Sequence, residues 1–460
     1  MSQPVSHAAP HLSRVLGMPS IVLFGLAYMV PLTVFTTYGV VTELTAGHLP
    51  AAYVVTLTAM LFTAYSYGQM VRAHPYAGSA YTYTQRSFGA HLGFMTGWTL
   101  LLDYLFLPMI NYLVMGIYLE AAFPAVPVGV WIVGAILLVT TLNILGITLV
   151  ARMNFVLVAF QVVFIAVFLV AAARTIAGDG LPSLAEPFLP SGSGVPAVLE
   201  GAAILCLSFL GFDAVSTLSE ETRDPQRRIP RAIMLVTVIG GATFIVVSYV
   251  GHLVFPRWQE FTDVDSAALD VMQRAGGAAL AAFFTAAYIA GCFASATASQ
   301  ASVSRILFAM GRDGALPRRV FGRLHQRFHT PALATVVVGL LSCVALVISL
   351  ELASAVISFG ALVAFSLVNL SVIKHYVLDQ ARRSPTDLLA YAVVPGIGVL
   401  LTLWLWTSLS GTTFAVGLAW VGAGFVYLLG LTRMFTRRPP ELRLGDAETP
   451  TVSRSRSRTR

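Results

Sequence analysis

Long apolar segments dominate this chain and limit what it can fold into. Lipid offers no hydrogen bonds to a polypeptide backbone, so a segment that crosses a bilayer must pair its own peptide groups as a helix. About 20 apolar residues are enough to cross the hydrocarbon core. Twelve segments reach this length, at about 20–42, 51–70, 91–119, 128–147, 153–173, 198–219, 232–254, 278–303, 331–349, 352–373, 389–408 and 412–433. The sequence therefore predicts an all-α membrane protein with twelve transmembrane helices.

Composition and the first residues support this class. Only 11% of the 460 residues are charged and 57% are hydrophobic, whereas about a quarter of the residues in a soluble domain are charged. The first 20 residues lack the charged start, short apolar core and cleavage site of a signal peptide, so the first segment is expected to remain as a helix. Cys206, Cys292 and Cys343 lie inside apolar segments and are expected to be packing residues rather than disulfide partners or metal ligands.

The distribution of Lys and Arg predicts the orientation of the chain. With both termini on the inner side, the outer loops contain only Arg174, Arg257 and Arg274 of the 28 basic residues. Cytoplasmic loops carry most of the Lys and Arg in membrane proteins. We therefore expect a multi-pass protein of the inner (plasma) membrane with cytoplasmic tails at 1–19 and 434–460, the second basic and disordered. The net charge of +7 lies in short loops and tails, which argues against a nucleic-acid partner.

Two of the apolar segments are interrupted. Pro31 lies in the middle of the first segment and removes a backbone donor. Ser208, Gly211 and Asp213 break the apolar run of the sixth. Backbone groups freed by such breaks are tolerated where they line a cavity, and in secondary transporters they bind the substrate or a coupling ion near the middle of the membrane. The two breaks are therefore expected to form a transport site.

The spacing of the two breaks predicts an internal repeat. They lie five segments apart, as corresponding positions in two five-helix repeats would. The predicted domains are a ten-helix transport core over 20–375, with repeats at about 20–173 and 198–373, and two further helices over 388–433. Such a transporter would alternate between outward and inward access by moving one bundle of helices against another.

Two carboxylates lie deep in predicted membrane helices. Asp103 is in the third segment and Asp213 in the sixth, and no Lys or Arg occupies the middle of any segment. A carboxylate at the bilayer centre costs at least about 2.5–3.5 kcal/mol. Such residues suit a cationic substrate or a carried proton; the alternative is that hydroxyls, backbone N–H groups or water satisfy them. We predict that both bind substrate and take part in proton coupling or gating.

Other residues near the breaks complete the predicted substrate site. Tyr104 adjoins Asp103, while Phe209 and Phe212 flank the break in the sixth segment. Aromatic faces suit an ammonium ligand, although aromatic residues in membrane helices more often serve packing. The remaining predicted substrate-binding residues are Pro31, Thr33, Thr36, Ser208 and Gly211.

Two glutamates follow the break near the inner surface. Glu220 and Glu221 precede a run of arginines, and ion pairs with these arginines are expected. We predict a gating or proton-coupling role for both. If an α-helix resumes after Gly211, Glu220 shares a face with Asp213 and Thr217.

No motif in the sequence predicts catalysis. There is no phosphate-binding glycine loop, and no two histidines stand at metal-ligand spacing on one helix. We therefore expect no enzymatic activity, no cofactor and no metal site. The eighth segment carries a stripe of small and polar residues, for which helix packing is favoured over a sodium site. The stripe consists of Tyr288, Cys292, Ser295, Ser299 and Ser302.

The stretch around the second break resembles a known motif. It reads SFLGFDAVSTLSEETRDPQRRIP from Ser208 to Pro230. The sixth-helix pattern of the amino acid–polyamine–organocation transporter superfamily is S-F-x-G-F-[DE], followed by E-E-x-x-x-P-x-x-x-I-P. Three further stretches are similar to the putrescine importer branch of that superfamily: GLAYMVPLTVFTTYGVV, LLDYLFLPMIN and FGALVAFSLVNLSV. The resemblance implies a twelve-helix permease with a LeuT-like five-plus-five inverted repeat and discontinuous helices 1 and 6.

The resemblance also implies a function. It implies import of a small cationic amine, putrescine, driven by the proton gradient, and Tyr104 matches a tyrosine tied to polyamine transport in that branch. For a dication the membrane potential alone is a sufficient alternative driving force. Two positions depart: Thr36 stands where the branch has an aspartate, and Gln161 stands where some amino acid transporters have a proton-sensitive lysine. The alternative is therefore an amino acid permease or an exchanger of amino acids and amines. A transporter-like sensor is a third interpretation, which the short tails disfavour.

Overall fold

The computed structural model describes residues 16–75, 79–145, 148–179, 183–189, 194–220, 222–312, 316–325 and 330–436. Within these ranges, eleven helical segments are long and apolar enough to cross a membrane, and a shorter apolar one covers Ala332–Leu346. Together they correspond to the twelve predicted segments. The prediction of an all-α membrane protein is confirmed.

The first half of the chain contains five spans. The first span is broken into α1 (Met18–Met29), a 3₁₀ segment (Pro31–Phe35) and α2 (Tyr38–Leu44). It is followed by α3 (Leu49–Ala73), the short α4 (Ser79–Phe88), α5 (Ala90–Ala122), α6 (Val128–Leu145) and α7 (Thr148–Asp179).

The second half opens on another broken span. This sixth span consists of α8 (Gly194–Ile204) and two 3₁₀ segments (Leu205–Phe209 and Ala214–Glu220). After it come α9 (Pro225–Val254), α10 (Ala268–Arg312), the short α11 (Arg318–Phe321), α12 (Ala332–Ser342) and α13 (Leu350–Val372). The chain continues with the short α14 (Pro385–Leu388), α15 (Val394–Thr407) and α16 (Gly411–Leu431). Both predicted interruptions, in spans 1 and 6, are thereby confirmed.

The helix α5 lies at the centre of the bundle. It packs against α10 and α13, and α3 packs along α9. Most of α5 is enclosed, whereas α6, α7, α15 and α16 leave large apolar side chains on the surface, such as Leu137, Val162 and Leu400. These side chains are as apolar as lipid tails, so exposing them to a bilayer carries no penalty. Buried polar side chains lie instead inside the bundle, for example Thr63 on α3, Asp103 on α5 and Ser299 on α10.

Two helix boundaries differ from those predicted. The helix α9 begins at Pro225, so the charged run opens the helix instead of preceding it. Proline at the first helical position costs no hydrogen bond, because that N–H has no partner within the helix. The helix α10 begins at Ala268, ten residues before the predicted start, and bends at Gly276 and Gly277. The bend depends on Gly277, whose φ is +68°.

The sixth span does not resume as an α-helix after its break. It continues as a 3₁₀ helix from Ala214 to Glu220, which has three residues per turn. Asp213 therefore shares its face with Ser216 rather than with Thr217, and the predicted common face of Asp213, Thr217 and Glu220 is wrong. The hydroxyl of Ser216 donates to the Asp213 carbonyl at 2.6 Å.

Candidate substrate site between two broken helices

The break in the first span is centred on Val30. The helix α1 ends at Met29, Val30 has a φ of +54°, and Pro31 then opens the 3₁₀ segment. Pro31 has no N–H, so it cannot pair with a carbonyl of α1. The Thr33 hydroxyl replaces one of the lost hydrogen bonds, because it donates to the Met29 carbonyl at 2.6 Å.

The break in the sixth span is centred on Gly211. Leu210 is extended and Gly211 has a φ of +130°, a conformation that side chains rarely allow. The Gly211 N–H donates to Asp213 Oδ1 at 3.1 Å. One carboxylate oxygen of Asp213 therefore satisfies a backbone N–H group at the break in its own span. This agrees with the alternative named for the two carboxylates, in which backbone N–H groups satisfy them.

The two breaks touch each other at Gly211. A Cβ atom placed on Gly211 would lie 2.9 Å from the Met29 backbone nitrogen and 2.8 Å from Met29 Cγ. Both distances are shorter than any normal contact, so only glycine fits here. The sequence thus brings the middle of span 1 against the middle of span 6, as expected for a site between repeats.

A small cavity lies between these breaks. Its volume is about 30 Å³, which is room for about two water molecules. Its polar surface consists of Thr33, Thr36, Asn111 and Ser295, and the rest consists of Tyr28, Met29, Val30, Leu107, Ile110, Val114, Leu207, Leu210 and Cys292. The structure therefore shows the site contracted around a small volume.

An aromatic layer closes one side of this cavity. The Thr36 hydroxyl is 2.7 Å from Tyr288 Oη, and Tyr118 Oη donates to the Phe35 carbonyl at 3.1 Å. The ring of Phe284 packs against Phe35, Tyr118 and Tyr288. The hydrogen bond between Thr36 and Tyr288 joins the first broken span to α10 at this layer.

The hydrogen bond between Thr36 and Tyr288 is testable by a double-mutant cycle. Thr36→Val is expected to lower the free energy of unfolding by about 1–3 kcal/mol, because it leaves the buried Tyr288 hydroxyl without its partner. Tyr288→Phe added to it should recover most of the loss, since both polar groups are then gone. Thermal unfolding of the purified protein in detergent measures this. Additive losses in the double variant would show that the two hydroxyls do not interact.

The two predicted carboxylates lie together next to the cavity. Asp103 and Asp213 are each 4% exposed and are close enough to interact electrostatically. Tyr28 and Tyr104 interact with both of them. No basic side chain among the described residues interacts with either carboxyl group. Asp103 Oδ1 is buried and accepts no hydrogen bond from the described residues.

Tyr28 connects the carboxyl pair to the cavity. It lines the cavity beside Met29 and interacts with both carboxyl groups. On α5, Leu107 and Asn111 line the same cavity and lie one and two turns beyond Tyr104, so these three share a face. Neither Tyr28 nor Asn111 was predicted as a site residue. The spacing of Tyr104 and Asn111 along one helix was the available signal for the second.

Of the ten residues predicted to bind substrate, only Thr33 and Thr36 line the cavity, and three of the others pack against neighbouring helices instead. Ser208 shares a hydrogen bond of 3.1 Å with Tyr53. The Phe209 ring packs edge-on against Phe244 of α9. The third residue, Phe212, packs against Tyr67 and Phe365. All three serve to hold the broken span against α3, α9 and α13. The side chain of Glu220 and the whole of Glu221 lie outside the described residues.

The polar stripe of α10 divides between cavity lining and packing. Cys292 and Ser295 line the cavity, and Asn111 Nδ2 donates to Ser295 Oγ at 3.1 Å. The Ser299 hydroxyl donates to the backbone of its own helix. Behind the cavity, Gln161 is buried against Gly291.

A family model for amino acid permeases matches residues 20–428. The chain belongs to the amino acid permease family. This permease is 42% identical over 450 residues to the low-affinity putrescine importer PlaP of Escherichia coli (strain K12), covering 95% of this chain and 99% of that protein. It is also 28% identical over 444 residues to the branched-chain amino acid permease BcaP of Bacillus subtilis (strain 168), covering 90% of this chain and 92% of that one.

The fold of the permease is that of a known transporter. A solved structure of a manganese transporter variant from Eremococcus coleocola superposes with a TM-score of 0.57, at 14% sequence identity, over 94% of this chain and 99% of that one. With the family membership and the two broken spans, this confirms the LeuT-like five-plus-five fold with two further helices. The permease is a multi-pass membrane transporter of small molecules.

Proposed function

We propose that this permease imports a small alkyl diamine, with putrescine as the expected substrate. The observation that carries the proposal is the pair of buried carboxyl groups of Asp103 and Asp213, which have no basic partner among the described residues. Buried charges in membrane helices pair with something, and an ammonium group supplies the missing partner. The 42% identity to the putrescine importer PlaP over almost the whole chain supports the same substrate.

We propose one binding mode from these residues. The first ammonium end lies between Asp103, Asp213 and Tyr104, and Asp103 Oδ1 is its main acceptor. The alkyl chain lies along Tyr28 and Leu107. The second ammonium end reaches the polar part of the cavity. There Thr33, Thr36 and Asn111 supply oxygen acceptors, so Thr36 takes the place of the aspartate found in the putrescine importer branch.

The remaining predicted residues act on the shape of the site. Pro31 and Gly211 hold the two breaks open, while Ser208, Phe209 and Phe212 anchor the sixth span. The transport core is proposed to cover 20–375, followed by two helices over 388–433, with both tails in the cytoplasm and the protein in the inner membrane. The distribution of Lys and Arg supports this orientation.

The driving force does not have to include a proton. One positive charge moving inward releases about 2.3 kcal/mol per 100 mV. A dication gains about 4.6 kcal/mol, which corresponds to about a thousandfold accumulation at 1.4 kcal/mol per tenfold. If a proton is also carried, Asp103 and Asp213 are the candidates between the breaks, and Glu220 and Glu221 remain candidates at the inner end of the sixth span.

A second candidate function is amino acid transport. Half-helix N-termini at a break attract anions, so the breaks at Val30 and Gly211 suit a substrate carboxylate. The identity of 28% to BcaP over 90% of the chain favours this candidate. A bound amino acid would place its carboxylate at the break and its amine at Asp103.

Uptake into proteoliposomes distinguishes the two functions. We expect radiolabelled putrescine to accumulate under an imposed inside-negative potential without a pH gradient, and unlabelled cadaverine to compete while leucine and arginine do not. If only an amino acid competes and cadaverine does not, the substrate is an amino acid rather than a diamine. Uptake that requires an inward proton gradient as well as the potential would overturn the claim that the potential suffices.

A further inference from the structure

A surface groove follows the side of α3 from Thr58 to Arg72. It consists of two depressions of about 420 Å³ and about 450 Å³, which share Tyr65 and Met234. The first is lined by Met18, Ala64, Tyr65, Gly68, Gln69, Arg72, Pro230, Arg231, Met234 and Leu235. The second is lined by Thr58, Leu61, Phe62, Tyr65, Met234, Thr386, Leu389, Ala390 and Val394. The groove is therefore continuous between α3, α9 and the start of α15.

The two ends of this groove differ in charge. Arg72 and Arg231 lie at one end, both exposed, and no acidic residue lines either depression. Within the part of the chain that the structure describes, neither arginine has an ion-pair partner; Arg72 donates a hydrogen bond of 3.3 Å to Gln69 Oε1. Guanidinium groups bind phosphate through paired N–H donors. This end therefore suits a phosphate group.

The other end is apolar and has the length of a lipid chain. Arg72 lies 14 residues after Thr58, which corresponds to about 21 Å along the helix. Half of a bilayer hydrocarbon core is about 15 Å thick. A lipid whose phosphate lies at Arg72 and Arg231 would thus extend its acyl chain to about the level of Thr58. Leu61, Phe62, Leu389 and Val394 provide an apolar surface along that path.

We propose that this groove binds one anionic phospholipid of the leaflet that contains Arg72 and Arg231. The two guanidinium groups hold the phosphate, and one acyl chain lies past Tyr65 and Met234 toward Thr58. The bound lipid contacts α3 and α9, and it also contacts α1 at Met18. This site is separate from the substrate cavity and does not depend on which amine or amino acid is carried.

Native mass spectrometry of the protein purified in a neutral detergent tests the site. We expect one tightly bound phosphatidylglycerol, and phosphatidylcholine bound at least about tenfold more weakly. The Arg72→Gln/Arg231→Gln variant should bind phosphatidylglycerol about 25-fold more weakly, since each basic residue contributes about fivefold near an anionic headgroup. Arg227→Gln is the matched control, because Arg227 is exposed on the same helix outside the groove and faces Asp224.

A second variant tests the acyl-chain half without changing any charge. Ala390→Phe fills the apolar end of the groove and is expected to weaken phosphatidylglycerol binding at least about fivefold. Inorganic phosphate, as a headgroup probe without chains, should not compete. Phosphatidylglycerol binding unchanged in the double arginine variant, or equal affinity for phosphatidylcholine, would overturn the proposal. Full competition by inorganic phosphate would show that the site binds a free anion rather than a lipid, and this result would also overturn the proposal.

Discussion

Asp103→Asn is expected to lower kcat/KM for putrescine uptake by at least about 100-fold. The substitution keeps the shape of the side chain but leaves the buried ammonium end without its main charged partner. Removing one member of a buried charge pair costs about 3–5 kcal/mol, and 1.4 kcal/mol is a factor of ten. Initial rates of uptake into proteoliposomes under a fixed potential give this value directly.

Asp213→Asn should lower uptake to a similar extent, because it removes a negative charge but keeps the hydrogen bond at the break. The oxygen of the introduced amide can still accept the hydrogen bond from the Gly211 N–H, so the break keeps its shape, while the negative charge is lost. Neither variant should unfold more easily, because each removes a carboxyl group that is buried without a basic partner among the described residues. Asp387→Asn, on the exposed α14, is the matched control and should transport within about twofold of the unaltered protein.

Equilibrium binding separates a substrate role from a proton role. If the carboxyl pair receives the amine, both variants lose putrescine binding in detergent, where no gradient exists. If Asp103 only carries a proton, Asp103→Asn keeps binding and putrescine exchange but loses accumulation driven by a pH gradient. Wild-type binding and uptake in both variants would remove the carboxyl pair from the substrate site altogether.

Sequence patterns were sufficient for the architecture because the bilayer leaves few choices. Long apolar segments can only be helices in lipid, and Pro31 and Gly211 each prevent regular helix at a position that the pattern identifies. The sequence also identified Asp103 and Asp213 as deep acids without a basic neighbour, but it did not predict that they lie close enough to interact.

The sequence did not predict which residues share a face in the broken helices. Helical periodicity predicts which residues share a face only while the backbone stays regular. At Gly211 the φ of +130° interrupts the helical periodicity. The direction of Phe212 therefore cannot be extrapolated from that of Phe209, which lies on the other side of the break. The role of Tyr28 depends on how α1 packs against α9 and the sixth span, and such contacts between helices leave no pattern within a single helix.

Gly211→Ala is expected to abolish transport and to destabilise the protein. The positive φ of Gly211 costs a side-chain-bearing residue about 1–3 kcal/mol. The added Cβ would also lie 2.9 Å from the Met29 backbone nitrogen, so the two breaks must move apart. We expect the initial rate of uptake to fall at least about tenfold and the melting temperature in detergent to fall measurably.

Two comparisons make the role of this contact specific. Gly396→Ala on α15 adds the same methyl group where nothing lies within 4 Å, and it should leave transport unchanged and stability equal or slightly higher, because alanine favours helix. Met29→Ala added to Gly211→Ala removes the clash with Met29 Cγ but leaves the clash with its backbone nitrogen, so rescue should be partial. Wild-type transport in Gly211→Ala would show that the two breaks do not need their close contact. Full rescue by Met29→Ala would place the whole effect in the Met29 side chain, and neither the φ of Gly211 nor the backbone of span 1 would then limit the site.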